Sequence, residues 1–240
     1  TGDRFPPNRI LSHDLIEGCF ARCGFVSDVE LIEEIPARYL AAASRLHRWT
    51  RGDWQVARWL WPLVPGPDGK RRPNPLNALS RWLLMDTLRR SLVPAAWVGV
   101  LAGGLFLTAG AMGAWIALWA YLFVVPDLVR LIAGLAAQNP AVPWRGHFTR
   151  VLDRERLAWR VTALEWVFLP HQMLVQCDAI LRTVWRLNVT RRGLLQWRTA
   201  ADAERAARPG IGETSRAMAG ASALAALFAG AAWKGHGLAA

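Results

Sequence analysis

The stretch "LSHDLIEGCFARCGF", residues 11–25, concentrates side chains that could do chemistry. Asp14 follows His13 and precedes Glu17, and Cys19 and Cys23 stand one helical turn apart. A carboxylate beside an imidazole can act as a general base. The same Asp14 is also a good helix cap, with Glu17 three residues on as the partner in an Asp variant of the capping box. Local spacing leaves both roles open. Cys19, Cys23 and His13 superficially suggest zinc, but structural zinc sites want a second ligand pair further along. The remaining cysteine is Cys177. Three cysteines are too few and too odd in number for a disulfide framework, so packed free thiols are the expectation. A second constellation is Arg45, Arg48 and Trp49, at i, i+3 and i+4 and hence on one helical face. The same pattern also fits a solvated basic face with a Trp anchor.

These groups need elements to hold them. "TGDRFPPN" is turn chemistry, and "HDLIEGCFARCG" reads as a short helix that Gly24 can close. "FVSDVELIEEIP" alternates as a strand does and ends at Pro36. Residues 37–60 read as an amphipathic helix broken near Gly52. Trp49, Trp54, Trp59 and Trp61, in their basic setting, suit a membrane interface. "VPGPDGKRRPNP" reads as a Pro/Gly loop with a basic cluster, and "LNALSRWLLMDTLRRSL" as a second amphipathic helix. After the loop "NPAVPWRGHFTR", a long helix is expected from about Val151 to Leu187, carrying Glu165, His171, Gln176 and Asp178, with Pro170 kinking or splitting it.

From Leu92 to Val125 there are 34 residues without a charged side chain. About 20 apolar residues already span a bilayer core, so the run predicts two membrane helices, or one with a break around Thr108–Gly113. Pro94 suits a first helical turn, and Pro126 need not end the second helix. Ala217–Trp233 is a shorter Ala-rich run. Gly99 and Gly103 form a GxxxG spacing, which is weak in so small-residue-rich a segment. The net charge of +11 lies in blocks on either side of the apolar run: 11 Lys/Arg against 3 Asp/Glu in residues 36–90, and 13 against 7 in residues 138–216. Both would face the cytoplasm if residues 92–137 form a hairpin. No basic groove of the nucleic-acid type is evident. The chain opens at Thr1 without a signal-peptide pattern and reads as a piece of a longer polypeptide.

The order of these features, an Asp-bearing loop, then an Arg-Trp helix, then paired amphipathic helices leading into apolar spans, resembles the processive membrane glycosyltransferases of the cellulose-synthase-like group. "SHD" (Ser12, His13, Asp14) stands where that group has its acidic base motif. "RLHRW" stands where it has QxxRW, with Arg45 in place of Gln. The words "RILSHDLIEGCFAR", "SDVELIEEIPARYL", "RLHRWTRGDWQVARW", "NPLNALSRW" and "DTLRRSLVP", with "DAILRTVWRL" and "VTRRGLLQWRTAADAER" downstream, resemble more closely the cyclic β-1,2-glucan synthase family. That resemblance runs over roughly residues 1–208.

The resemblance implies inverting transfer of glucose from UDP-glucose to a growing β-1,2-glucan. Asp14 would be the general base, Arg48 a contact to the diphosphate and Trp49 an apolar face under the acceptor sugar. Arg45 would add charge and His13 would orient the loop. It also implies Mg2+ or Mn2+ held by ligands outside this chain, and a bacterial inner-membrane, multi-pass protein with its catalytic side cytoplasmic and the bilayer as a partner. The fold expected is mainly α and integral to the membrane: the C-terminal remnant of a GT-A-like α/β transferase domain followed by interface and transmembrane helices. The expected parts are 1–62 (end of the transferase domain), 63–91 (basic loop and amphipathic helix), 92–137 (transmembrane hairpin), 138–210 (membrane-associated helices) and 211–240 (a short Ala-rich candidate membrane helix). Such a piece is expected to be inactive alone. Another processive β-glycan synthase of cellulose, chitin or hyaluronan type, and a non-catalytic membrane transport or assembly subunit, are the alternatives.

Overall fold

The computed structural model describes residues 5–6, 9–11, 14–21, 24, 26–32, 36–104, 109–137, 142–196, 202 and 210–237. The described chain is mainly helical. It runs α1 (Asp14–Ala21), α2 (Tyr39–Gln55), a 3-10 turn (Ala57–Leu60), β1 (Leu63–Pro65), β2 (Arg71–Pro73), α3 (Ala78–Gly104), α4 (Ala109–Ala136), α5 (Trp144–Trp185), a π turn (Arg186–Thr190) and α6 (Ile211–Gly237). It divides into two compact units, Thr1–Ala96 with His171–Ser222, and Trp97–Pro170 with Ala223–Ala240.

The first unit is built on an apolar cluster of Ile10, Ile16, Val56, Trp59, Val64, Leu76 and Leu84, with Phe5, Leu15, Cys19 and Phe20 packed against it. Cys19 is a half-buried free thiol and does the packing expected of it, while Cys23 lies outside the described residues. Burying each large apolar side chain contributes about 1.5–3 kcal/mol. Trp59 is 1% exposed, so it belongs to the core and not to a membrane interface. Trp54 is half-buried and donates from Nε1 to Ser91 Oγ at 2.9 Å. Of the four tryptophans assigned to an interface, Trp49 and Trp61 are exposed.

Several local expectations change. Helix α2 runs through Gly52 unbroken and ends at Val56, whose N–H bonds to Gly52 O at 3.3 Å. Gly52 is buried, and packing on the helix outweighs a propensity cost of about 1 kcal/mol. Residues 26–32 form no strand, and Leu31 and Ile32 are almost wholly exposed. Alternation supplies a face, but a strand needs a neighbour to take its backbone hydrogen bonds, and none among the described residues provides one. The reverse holds for the Pro/Gly loop, which closes as an antiparallel hairpin pairing Leu63 with Pro73 and Pro65 with Arg71. Gly69 takes a φ of 75° at its tip, a conformation glycine adopts without steric penalty. Asn74 then clamps the hairpin base, donating to Trp59 O at 2.6 Å and Trp61 O at 2.8 Å. Asn77 caps α3, its Oδ1 accepting from Ser80 N at 2.8 Å.

Pro94 lies well inside α3 and not in a first turn. Pro126 does not end α4, and Pro170 does not split α5, which runs unbroken over 42 residues. A proline removes one backbone bond; in helices this long the remaining ladder carries the chain through. Among the described residues α3 ends at Gly104 and α4 begins at Ala109; residues 105–108, between them, lie outside the described residues.

A seam joins α2 to the second half of α5 and the loop after it. Arg51 donates to Gln196 O at 2.7 Å and to Leu194 O at 3.1 Å. Gln55 accepts from Leu11 N at 2.6 Å and donates to Leu194 O at 3.0 Å. His47 Nε2 meets Asp178 Oδ2 at 2.9 Å, and Arg182 bonds the same carboxylate at 2.7 Å. Burial lowers the His47 pKa below the ordinary imidazole value, although Asp178 pulls it upward. Burial also works to raise the Asp178 carboxyl, but the bonds from Arg182 and His47 hold it below its usual value.

Both shifts act in one direction. The seam's contribution to stability is full at neutral pH and falls as pH drops below about 6.5, where unfolded His47 takes up a proton that the folded seam resists. A further loss follows below about pH 4 as Asp178 is protonated. Asp53, whose carboxyl burial pushes up to about 6, acts in the opposite sense, its penalty lifting as pH falls through that value. The urea midpoint of the protein minus that of His47→Gln, followed by Trp fluorescence, is therefore expected to be smaller at pH 5 than at pH 7; an unaltered difference would place the pH dependence elsewhere.

In the second unit, the rings of Trp97, Trp119 and Trp166 meet at 5.0–5.3 Å between centroids. Arg130 pairs with Asp127 at 2.5 Å and approaches buried Glu155 at 3.6 Å. Among the described residues one helix, Gly113–Ala136, is long and apolar enough to cross a membrane by length and composition, and only 6% of its apolar window is buried within the protein. Neither the end of α3 nor Ala217–Trp233 meets that description.

Candidate active site

A groove of about 420 Å³ in the first unit draws on four helices. From α1 come Asp14 and Leu15; from α2 come Leu46, Trp49, Thr50 and Asp53. Helix α3 adds Thr87, Arg90 and Ser91, and α5 adds Gln176. The α2 residues recur at i, i+3, i+4 and i+7, the spacing of one helical stripe. The volume falls within the roughly 300–1,000 Å³ of small-molecule sites.

Asp14 lies in the first turn of α1 with Glu17, where a negative charge is favoured by the helix dipole. It is solvent-exposed at the rim of the groove. Trp49 is about half exposed and carries the Arg45 guanidinium 4.8 Å from its ring centre, a cation–π contact that holds both side chains. Burial pushes the Asp53 carboxyl up to about 6, against the pull of the Arg90 guanidinium. Thr87 donates to Leu84 O at 2.8 Å and Ser91 to Leu88 O at 2.7 Å, so both hydroxyls are tied to their own helix. Gln176 is 7% exposed, and its Oε1 has no hydrogen-bond partner.

The groove thus gathers Asp14 and Trp49, which come from two separate sequence words, and sets Arg45 against Trp49. Arg48 is half-buried and does not line the groove; at about 100° per residue it falls off the stripe of Leu46, Trp49 and Asp53. His13 lies outside the described residues. Of the ten groove residues only Asp14 and Trp49 were site candidates in the sequence; Asp53 and Gln176 are among those it missed. Asp53 could have been found, since it sits four residues after Trp49. Gln176 was noted only as a polar group on a long helix, and nothing local ties it to Asp14.

The charge pattern limits what the groove can hold. It offers two carboxylates (Asp14 and Asp53), one guanidinium (Arg90, which also pairs with Asp86) and an indole face. That mix suits a ligand rich in hydroxyl groups. A separate hollow of about 240 Å³ has the opposite sign, lined by Arg9, Arg58 and Arg191. Among the described residues no group of three or more His, Cys, Asp or Glu side chains could hold a metal ion.

No protein-family model matches the chain. In sequence it is similar to a glycan-synthesising enzyme. That relative is the cyclic beta-(1,2)-glucan synthase NdvB of Rhizobium meliloti (strain 1021), 41% identical over 224 residues. The match covers 92% of this chain but 8% of the relative, so the chain corresponds to one short stretch of a much longer protein. Over that stretch the resemblance to the cyclic β-1,2-glucan synthase family is borne out.

Proposed function

We propose that the chain forms the acceptor side of a membrane-bound inverting glycosyltransferase that moves glucose from UDP-glucose to a growing β-1,2-glucan. The observation that carries the reading is the groove itself, in which a solvent-exposed carboxylate and an indole meet in a stretch similar to a glucan synthase. Asp14 takes the proton from an acceptor hydroxyl as its oxygen bonds to the anomeric carbon of the donor. The bond from that carbon to the diphosphate breaks, and its electron pair leaves with UDP. A carboxylate suits the step because the sugar carbon gains positive character as the proton departs.

Trp49 backs the acceptor ring, and Arg45 holds the indole in place. Arg48 is assigned to the diphosphate, from its place in the RxxRW word and not from the groove, and His13 to orienting the Asp14 loop. A divalent cation bound elsewhere in the longer protein would neutralise the nucleotide diphosphate. Gly113–Ala136 is assigned to crossing the bacterial inner membrane, with the groove on the cytoplasmic side, in a multi-pass protein whose other spans lie in part outside this chain. The chain by itself is expected to be inactive.

The test uses the complete protein in membranes, with labelled UDP-glucose and a divalent metal. Linkage analysis is expected to return β-1,2 bonds. A β-1,4 product would move the protein to another class of β-glycan synthase. No transfer to sugar under any condition would favour a non-catalytic role.

A further inference from the structure

Within the second unit a cleft of about 480 Å³ opens between α4 and α5, at the C-terminal end of the apolar helix Gly113–Ala136. Arg130, Ala133, Gly134 and Ala137 line it from one side, and His147, Arg150, Val151 and Arg154 from the other. Each set recurs at i, i+3, i+4 and i+7, so two helical stripes face each other. Among the described residues three guanidinium groups line the cleft and no carboxylate does. Two buried carboxylates stand behind it: Asp127 pairs with Arg130, and Glu155 approaches Arg130 at 3.6 Å and Arg154 at 3.8 Å. They hold those two arginines and leave one positive charge over. Arg150 meets no carboxylate among the described residues, and Asp153 lies off the α5 stripe, paired with Arg156 at 3.2 Å. Arg154 is laid against α4, where a Cβ added to Gly134 would come 2.7 Å from its Nη2. Buried His147 ties the two walls, its Nε2 donating to Gly134 O at 3.1 Å. Arginines at the end of a span commonly snorkel outward into water; here they converge from two helices on one space. The same turns expose Leu128, Val129 and Ile132 on α4 and Trp144 and Phe148 on α5. A free phosphate ion gains nothing from that apolar surface, whereas a phospholipid does.

Resting on the assignment of Gly113–Ala136 to the membrane, we propose that this cleft binds the headgroup phosphate of an anionic phospholipid. Arg150 and Arg154 donate to the phosphate oxygens from α5, and Arg130 from α4. A guanidinium has five N–H donors in a fork that matches phosphate, and the contacts to Asp127 and Glu155 occupy only part of them. Basic pockets between membrane helices take anionic headgroups in this way, and the surplus positive charge selects them over zwitterionic ones. The acyl chains lie along the exposed apolar face of α4. One lipid thereby links the end of the span to the first turns of α5.

The complete protein in detergent is titrated with fluorescent phosphatidylglycerol and, separately, fluorescent phosphatidylcholine, and binding is read by anisotropy. Arg150→Gln removes one guanidinium and leaves the Asp127 and Glu155 pairs in place. It is expected to weaken phosphatidylglycerol binding roughly tenfold, the loss of one charge-assisted bond, with phosphatidylcholine binding unchanged. Arg160→Gln removes the same charge from the same helix off the stripe and is expected to stay within about twofold. Unchanged phosphatidylglycerol affinity in Arg150→Gln overturns the inference, and so does an equal loss in Arg160→Gln, which marks diffuse attraction in place of a site. Inorganic phosphate that displaces the lipid beyond the effect of chloride at equal ionic strength overturns the lipid assignment in favour of a soluble phosphate. The underlying span is tested apart, with Leu118→Cys in sealed membrane vesicles and a water-soluble maleimide. No labelling above that of the unaltered protein is expected. Labelling at that position removes the span and this inference with it, whereas protection together with unchanged lipid affinity in Arg150→Gln removes the inference alone.

Discussion

Asp14→Asn in the complete protein is expected to lower glucan synthesis from UDP-glucose by about 10²–10⁴-fold, the range supplied by a positioned general base. The substitution is informative because asparagine caps a helix about as well as aspartate does. If Asp14 only terminates α1, Asn serves equally and the output is unchanged, which would sink the base assignment. If Asp14 takes the proton, the amide cannot replace it, and kcat falls while the KM for UDP-glucose stays near its original value. Asp14→Ala separates the two roles further. It removes cap and base together, so a loss equal to that of Asn assigns the effect to proton transfer. A clearly larger loss adds a contribution from α1. Asp14 is solvent-exposed at the groove rim, open to an incoming hydroxyl. Asp53, pushed up to about 6 by burial, is increasingly protonated below that value.

The pairing of Asp14 with Trp49 was legible in the sequence because the information sat in ordered words. What those words could not convey was orientation. Arg45, Arg48 and Trp49 share a broad helical face by spacing alone, yet Leu46, Trp49, Thr50 and Asp53 form the stripe that meets the groove. The choice among such faces is made by what packs on the other sides of α2. There Arg51 and Gln55 are engaged by carbonyls near residue 194. That contact spans some 140 residues of sequence, and no local pattern announces it. Gln176 was hidden for the same reason.

Backbone punctuation was read with mixed success, and the failures share a cause. Gly52, Pro94 and Pro170 are local helix breakers by propensity, and each lies inside a continuous helix. Propensity differences of one to a few kcal/mol are small beside the packing and backbone bonds of helices 17–42 residues long. The segment 26–32 erred the other way, its alternation promising a strand where no neighbour among the described residues pairs with it. The hairpin at Leu63–Pro73 was passed over because Pro and Gly dominate its tip, although the PDG run is itself a turn signal.

Trp59→Ala is expected to destabilise the first unit by about 3–5 kcal/mol, the usual cost of emptying a large aromatic site in a packed core. Trp59 is 1% exposed and packs edge-on against Phe5 at 5.7 Å between ring centres, within the cluster that includes Ile16 of α1 and Val56 at the end of α2. The effect is readable in the complete protein as faster amide hydrogen exchange in α1 and α2, by roughly two to three orders of magnitude. Trp61, two residues on, provides the contrast: it is mostly exposed, and Trp61→Ala should stay within about 0.5 kcal/mol. Equal effects at the two positions would mean that the cluster is not the core of this unit. Because α1 carries Asp14 and α2 carries Trp49, loosening the cluster also loosens the groove. Transfer in Trp59→Ala should therefore fall more steeply with temperature than in the unaltered protein. In Asp14→Asn the steepness should be unchanged, since the lost group is chemical and the scaffold is intact.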